Sequence, residues 1–158
     1  MSLSCCSSGL TPEARSADHC PQSGTKGRKV PVITLKSLLR PDSLAQFAPD
    51  VQHYFCSDEG CEVVYFSTNG TYHRQKLEVP VYQKDDGADV PVCYCFGWTR
   101  ATIADAAALG EEDTITPAIS AHIKAGRCGC EVNNPQGACC LGNVTREVQA
   151  AKQQAVAL

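Results

Sequence analysis

Six of the eleven cysteines in this chain of 158 residues lie in the last 66 residues, in closely spaced pairs. The pairs are Cys93 with Cys95, Cys128 with Cys130, and Cys139 with Cys140. Thiolates spaced this closely on tight turns can converge on one soft metal centre. Four such ligands from two distant loops are what an iron–sulfur cluster or a tetrahedral zinc ion requires. The second half of the chain is therefore predicted to bind a metal.

Three further cysteines, Cys20, Cys56 and Cys61, form a second candidate site in the first half. The spacer Cys56-Ser-Asp-Glu-Gly-Cys61 is a turn ahead of a predicted strand, and a glycine-rich knuckle follows Cys20. Such turns can close around a metal, and the pattern is typical of half of a zinc ribbon.

A tetrahedral structural zinc site needs four donors, and these three cysteines supply only three. The fourth ligand has to be another residue. A complete Cys-x-x-Cys knuckle starting at Cys20 would have its second cysteine at position 23, where this chain has Ser23. His19 is taken as the fourth ligand because it adjoins Cys20, with Cys5 or Cys6 as alternates. His53 is a weaker candidate.

Composition and charge exclude several classes of protein. The N-terminus has neither a basic start nor an apolar run, which indicates a cytoplasmic protein whose thiols stay reduced and favour metal over disulfides. No apolar stretch approaches the length of a membrane span. A net charge of −3 without a basic run argues against nucleic acid as a partner. No catalytic triad or phosphate loop is visible, so we expect no enzyme.

The fold class is predicted to be α+β. Residues 1–18 are expected to be a flexible, cysteine-containing tail, and residues 19–83 a small β-rich zinc-binding module. A polar, turn-rich boundary then leads to a helical metal-binding domain over residues 90–150, and residues 151–158 form a fraying C-terminal tail.

Within the first module, the apolar run 30–33 suits a short edge strand, and Thr34 can cap the turn that follows it. Pro41 can open a short helix. Residues 62–66 and 77–82 are predicted to be two strands joined around Asn69-Gly70.

Within the second domain, Thr99 is predicted to cap a helix that Gly110 ends. Thr116 starts another that Gly126 ends, and a third begins near residues 140–143. Loops at helix ends could bring all the cysteines of this half together.

Thirty-two residues separate Cys95 from Cys128, and a helix-turn-helix fills that interval. A Cys-x-Cys pair followed by this spacing resembles the [2Fe–2S] domain of the bacterioferritin-associated ferredoxin type, which closes with Cys-x-x-Cys. This chain has a longer segment in place of the closing pair. The predicted cluster ligands are Cys93, Cys95, Cys128 and Cys140, with Cys130 and Cys139 as alternates.

Taken in order, Cys20-Pro, Cys56 to Phe66, Val92-Cys-Tyr-Cys-Phe96 and Cys130-Glu-Val-Asn-Asn-Pro-Gln-Gly-Ala-Cys-Cys140 resemble the N-terminal region of the CopZ-type copper chaperones. The resemblance covers residues 19–150. It implies a zinc-binding β module fused to a helical [2Fe–2S] domain, which in that family is joined to a small copper-binding domain. The Met-x-Cys-x-x-Cys segment of that last domain is absent from this sequence, which ends at Leu158.

The resemblance implies a cytoplasmic protein of copper or heavy-metal homeostasis that holds Zn²⁺ and a [2Fe–2S] cluster, with Cu⁺ as a candidate cargo. It would act as an electron donor or accessory metallochaperone, with metal ions and a copper or heavy-metal export ATPase or a separate copper chaperone as partners. One alternative is a zinc-only interaction module. Another is a thiol-rich heavy-metal sink in which Cys5 and Cys6 hold soft ions in transit.

Overall fold

The computed structural model describes residues 16–157. The first half contains an antiparallel sheet of four strands in sequence order, β1 (Arg28–Lys29), β2 (Tyr54–Phe55), β3 (Val63–Ser67) and β4 (Gly70–His73), with two short helices, α1 (Val32–Leu38) and α2 (Pro41–Leu44). The second half contains a two-stranded ribbon of β5 (Pro91–Cys93) and β6 (Trp98–Thr99), followed by helices α3 (Arg100–Ala108), α4 (Ile115–Lys124), α5 (Cys130–Asn133) and α6 (Leu141–Val156). The predicted α+β class is confirmed.

Strand β3 is the centre of the first module. Its first four residues are all buried, which explains why it reads as an unbroken apolar run rather than an alternating one. The turn predicted at Asn69-Gly70 is present, and Gly70 adopts a φ of 142° that favours glycine. The strand after the turn is β4, so the strand predicted over residues 77–82 is wrong. That segment is irregular, and Leu77 forms only an isolated bridge with Leu39.

The strand predicted over residues 30–33 is also wrong, because α1 begins at Val32. Pro31 is the N-cap of this helix, where its missing N–H costs nothing. Thr34 lies inside the helix and its hydroxyl donates to the carbonyl of Glu131 at 2.6 Å. A four-residue apolar run is too short for periodicity to separate a strand from a helix. The short helix predicted at Pro41 is confirmed as α2.

The helices predicted in the second half are confirmed. Thr99 caps α3 by accepting from the Thr102 backbone N–H at 3.1 Å, and Gly110 and Gly126 follow α3 and α4 with φ near 74°. Helix α6 continues to Val156, beyond the predicted end of the second domain at residue 150. No helix within residues 16–157 is long and apolar enough to cross a membrane.

The two halves have separate apolar cores that meet at the segment between Cys130 and Cys140. Val144 and Ile119 belong to the core of the second half, whereas Tyr65 belongs to that of the first. The buried Tyr65 hydroxyl donates to the carbonyl of Pro135 at 2.6 Å. The sheet therefore holds the segment that carries several cysteines of the second half.

Gly137 is the tightest point of this junction. Its φ is 67°, and a Cβ there would lie 2.9 Å from Pro31 Cδ and 3.0 Å from Thr34 Oγ1. Gly126 has a φ of 73°, but a Cβ there would meet nothing within 4 Å. The pair therefore separates backbone strain from steric conflict.

We expect Gly126→Ala to lower the free energy of unfolding by about 1–2 kcal/mol, the strain of a left-handed L-residue. Gly137→Ala should cost about 1–3 kcal/mol more, because the added methyl overpacks the junction. Urea denaturation of both variants under reducing, anaerobic conditions measures the difference. Equal losses would mean that the two halves are not tightly packed at Gly137.

Candidate metal centres

Three cysteines of the first half come together beside the sheet. Cys20 follows the first bridge of the chain, Cys56 follows β2 directly, and Cys61 lies two residues before β3. Their Sγ atoms all lie within 4.8 Å of one another, and Cys20 Sγ is 3.8 Å from Cys61 Sγ. Thiolates at about 2.3 Å from a tetrahedral zinc ion would be roughly 3.8 Å apart, so the geometry suits zinc.

The loops around this first centre are held by backbone hydrogen bonds. The Gly24 N–H donates to the Cys20 carbonyl and the Cys20 N–H to the Thr25 carbonyl, both at 2.8 Å, which closes the predicted knuckle. Lys84, although buried, donates from Nζ to the carbonyl of Asp58 in the loop between Cys56 and Cys61. The donors are therefore positioned by contacts that do not depend on their own sulfur atoms.

The structure does not bring His19, the predicted fourth ligand, into the group of three sulfurs. Its Nδ1 lies 2.9 Å from Asp18 Oδ1 instead. His53 is buried against Phe47, with Nδ1 2.9 Å from the Val51 carbonyl, and it does not join the group either. The alternates Cys5 and Cys6 lie outside the described residues.

Ser23, rather than His19 or His53, lies next to the three sulfurs. Its Oγ lies 3.5 Å from Cys56 Sγ. Burial raises the pKa of the Cys20 thiol, but hydrogen bonds from the side chain and backbone of Ser23, from the Gln22 backbone and from Cys56 outweigh it and lower that pKa to about 7. Thiolate formation, which metal binding requires, is thus favoured at Cys20.

Five cysteines of the second half form a second group of sulfurs. Cys95 Sγ lies 3.7 Å from Cys130 Sγ, and Cys128 Sγ lies 3.2 Å from the same atom. Cys140 interacts with both Cys130 and Cys93. Cys130 contacts Cys95 and Cys128 and interacts electrostatically with Cys140, so it links the two sides of the group. Cys130, an alternate in the sequence analysis, is more central than the preferred Cys128.

The thiols of this group have widely separated pKa values. Hydrogen bonding to Cys140 is the main cause that lowers the pKa of Cys130 to about 5, with burial opposing it and Cys128 and Cys95 adding to it. Hydrogen bonding to Cys140 likewise lowers the pKa of Cys93 to about 7. Burial raises the pKa of Cys128 to about 12. Cys130 and Cys93 are therefore the thiols most readily ionised for ligation.

Two groups donate hydrogen bonds to the sulfur of Cys95. The Gly129 N–H lies 3.2 Å from Cys95 Sγ, and Asn133 Nδ2 lies 3.6 Å from it. Such donors stabilise the negative charge of a ligating thiolate and tune the potential of a bound cluster. Sequence reasoning missed Asn133, since only the turn of α5 brings it back toward Cys95.

Cys139 is the one cysteine among residues 16–157 that lies outside both groups. Its side chain is exposed and lines a polar cavity of about 420 Å³ between the two halves, together with Arg28 and Arg146. Of the two alternatives Cys139 and Cys140, the structure therefore favours Cys140 as a metal ligand. The partly buried Trp98 packs against the core of the second half.

Comparison with known proteins places this chain in a family of metal-handling proteins. Residues 17–78 match the zf_CopZ family, described as a zinc binding domain. Over 148 residues the chain is 31% identical to the copper chaperone CopZ of Archaeoglobus fulgidus, an alignment that covers 89% of this chain and 70% of that protein. The chain belongs to the CopZ family of copper chaperones.

A solved structure agrees with this assignment. The crystal structure of the N-terminal domain of Archaeoglobus fulgidus CopZ superposes with a TM-score of 0.69 at 29% identity, covering 81% of this chain and 95% of that domain. The predicted resemblance to the N-terminal region of CopZ is confirmed, and with it a zinc-binding first module. The [2Fe–2S] assignment of the second half stays a prediction.

Removal of one thiol should release zinc from the first module. Cys61→Ala leaves two thiolates and opens a cavity beside Val63, so we expect the zinc content to fall from one to well below one atom per chain. Cys139→Ala is the matched control, and it should keep its zinc because its thiol lies outside both groups. Elemental analysis after gel filtration measures both. Full zinc retention by Cys61→Ala would place the zinc elsewhere.

Proposed function

We propose that this chain is a zinc- and [2Fe–2S]-containing metal-handling protein of copper or heavy-metal homeostasis, acting as a one-electron donor or accessory metallochaperone rather than as an enzyme. The observation that carries the proposal is the contact of the Cys95, Cys128 and Cys130 sulfurs, with Cys93 and Cys140 interacting beside them, in the second half of a CopZ-family chain. Zn²⁺ would be held in the first module by Cys20, Cys56 and Cys61. The cytoplasm, where thiols stay reduced, is the expected location.

The arrangement of the five sulfurs favours a two-iron cluster over one zinc ion. Cys95 and Cys130, 3.7 Å apart, suit one tetrahedral metal, and Cys93 beside Cys140 suits a second. The two pairs supply four thiolates, two for each of two metals. Two adjacent pairs are what a [2Fe–2S] cluster needs.

The proposed cluster ligands are Cys93, Cys95, Cys130 and Cys140. Cys130 replaces Cys128 of the sequence analysis because Cys130 is buried at the centre of the group and has the lowered pKa, whereas burial raises the pKa of Cys128. Cys128 would be a fifth thiol next to the cluster.

A cluster held there would supply one electron at a time, which is sufficient to reduce one Cu(II) to Cu(I). The half-buried Cys95 and its donors Gly129 and Asn133 form the more exposed edge of the site, where an electron could leave toward a metal ion or partner. By analogy with the copper chaperone relative, Cu⁺ is the proposed cargo. A copper export ATPase or a separate copper chaperone is the proposed receiver.

A zinc-only interaction module is the second candidate. Cys95, Cys128 and Cys130 have sulfurs that all lie within 4.8 Å of one another, and three such donors suit a single metal ion. The third candidate, a heavy-metal sink at Cys5 and Cys6, concerns residues outside the described part of the chain.

The deciding experiment is iron, zinc and acid-labile sulfide analysis of anaerobically purified protein, with a visible spectrum and an EPR spectrum after dithionite reduction. We expect two irons, two sulfides and one zinc per chain, and an EPR signal from a one-electron-reduced cluster. A colourless protein that cannot be reconstituted with iron and sulfide would support the zinc-only module. For the sink, Cys5→Ser/Cys6→Ser should abolish soft-metal binding with the cluster intact.

The ligand set has its own test in two matched variants of the Cys128-Gly-Cys130 segment. Cys130→Ala should lose most of its iron and its visible absorption, because it removes the central ligand. Cys128→Ala should keep two irons and an unchanged spectrum. The reverse pattern, or an unchanged spectrum in Cys130→Ala, would assign Cys128 as the ligand.

A further inference from the structure

We propose that the metal centre of the first module has three permanent ligands, Cys20, Cys56 and Cys61, and a replaceable fourth ligand, the hydroxyl of Ser23. At this fourth coordination position, the corner held by Ser23, the centre accepts a thiolate from outside the chain. The inference rests on the zinc centre of the proposed function and is independent of the cluster in the second half.

Distances support Ser23 as the fourth corner. A tetrahedral zinc ion with sulfur at about 2.3 Å and oxygen at about 2.0 Å would separate those two donors by roughly 3.5 Å. Ser23 Oγ lies 3.5 Å from Cys56 Sγ, and the same hydroxyl interacts with Cys20. Backbone hydrogen bonds from Cys20 to Thr25 close the knuckle, and this closure places Ser23, three residues after Cys20, toward the sulfurs.

The other candidate donors within residues 16–157 do not join the three sulfurs. His19 pairs with Asp18, and His53 is buried beside Phe47. The Asp58 carboxylate accepts from the Gly60 N–H at 2.8 Å and from Thr25 Oγ1 at 3.4 Å. Within the described residues, no other histidine, cysteine or carboxylate atom joins the three sulfurs.

A serine at this corner changes the chemistry of the centre. A neutral hydroxyl is a weaker donor than a thiolate, so Zn²⁺ with three thiolates carries a charge of −1 instead of −2. Three firm ligands and one exchangeable position are the pattern of an open zinc site rather than a closed structural one. Since the three thiols are buried and Ser23 is partly exposed, exchange is expected from the Ser23 side.

The incoming ligand is assigned by donor softness. Three thiolates make a soft site, which favours a fourth soft donor over oxygen. An external thiol would lose its proton to solvent as its sulfur binds the metal, and the Ser23 hydroxyl would be released unchanged. No electron is transferred in this exchange.

Zinc K-edge X-ray absorption on the full-length, metal-loaded protein tests the proposal without interference from iron. Protein purified with a non-thiol reductant should show three sulfurs and one oxygen, and an excess of 2-mercaptoethanol should convert this to four sulfurs. Ser23→Cys should show four sulfurs at all times. Ser23→Ala, which keeps the space at the corner, should still respond to the thiol.

Zinc transfer to a chromogenic chelator provides a second readout. Replacing an oxygen donor by a thiolate should slow transfer from Ser23→Cys relative to wild type by about tenfold or more, at least the effect of losing an outer-shell contact.

Three results would overturn the proposal in distinguishable ways. Four sulfurs in wild type without added thiol would reject an open corner, and loss of one of them in Cys5→Ser/Cys6→Ser would assign it to this chain. Three sulfurs and one oxygen that persist in excess thiol would reject replaceability. Absence of zinc would remove the centre itself, and with it the zinc part of the proposed function.

Discussion

Repulsion among thiolates is the constraint on which this fold depends. Eight of the nine cysteines within residues 16–157 lie in two groups, with sulfur separations as short as 3.2 Å. Several thiolates cannot be charged at such distances without a nearby cation, and burial adds a desolvation cost. Hydrogen bonding to Cys140 lowers the pKa of Cys130, whereas burial raises the pKa of Cys128, so these two neighbouring thiols do not ionise together. Bound metal would relieve the repulsion, and metal binding would then be coupled to folding.

The scaffold meets this constraint by placing its cysteines at the ends of elements. Cys56 and Cys61 flank the turn between β2 and β3, while Cys130 begins α5 and Cys140 precedes α6. The two groups are also linked mechanically. Strand β3 starts just after Cys61, and its Tyr65 hydroxyl holds Pro135, halfway between Cys130 and Cys140.

Secondary structure was predictable where local signals were strong. Thr99, Gly110 and Gly126 are start and stop signals with a local physical cause, and the helices they bound were predicted correctly. The errors fell on short apolar segments. Residues 30–33 became helical because Pro31 suits a helix start, and residues 77–82 pair with no strand because β4 already occupies the edge of the sheet beside β3. The first outcome has a local cause in Pro31, whereas the second depends on which strand pairs with β3.

By itself, the sequence determined the number, type and close pairing of the cysteines, and therefore the capacity of the protein to hold metal through thiolates. It also determined the α+β class and the positions of the long helices, because these follow from local spacing. Only the tertiary structure decided which thiols meet. The contacts of Cys130, the position of Cys139 outside both groups and the absence of His19 from the first group each depend on the direction of a side chain. That direction is set by packing between segments up to about a hundred residues apart, such as Thr34 with Glu131, which spacing along the chain does not encode.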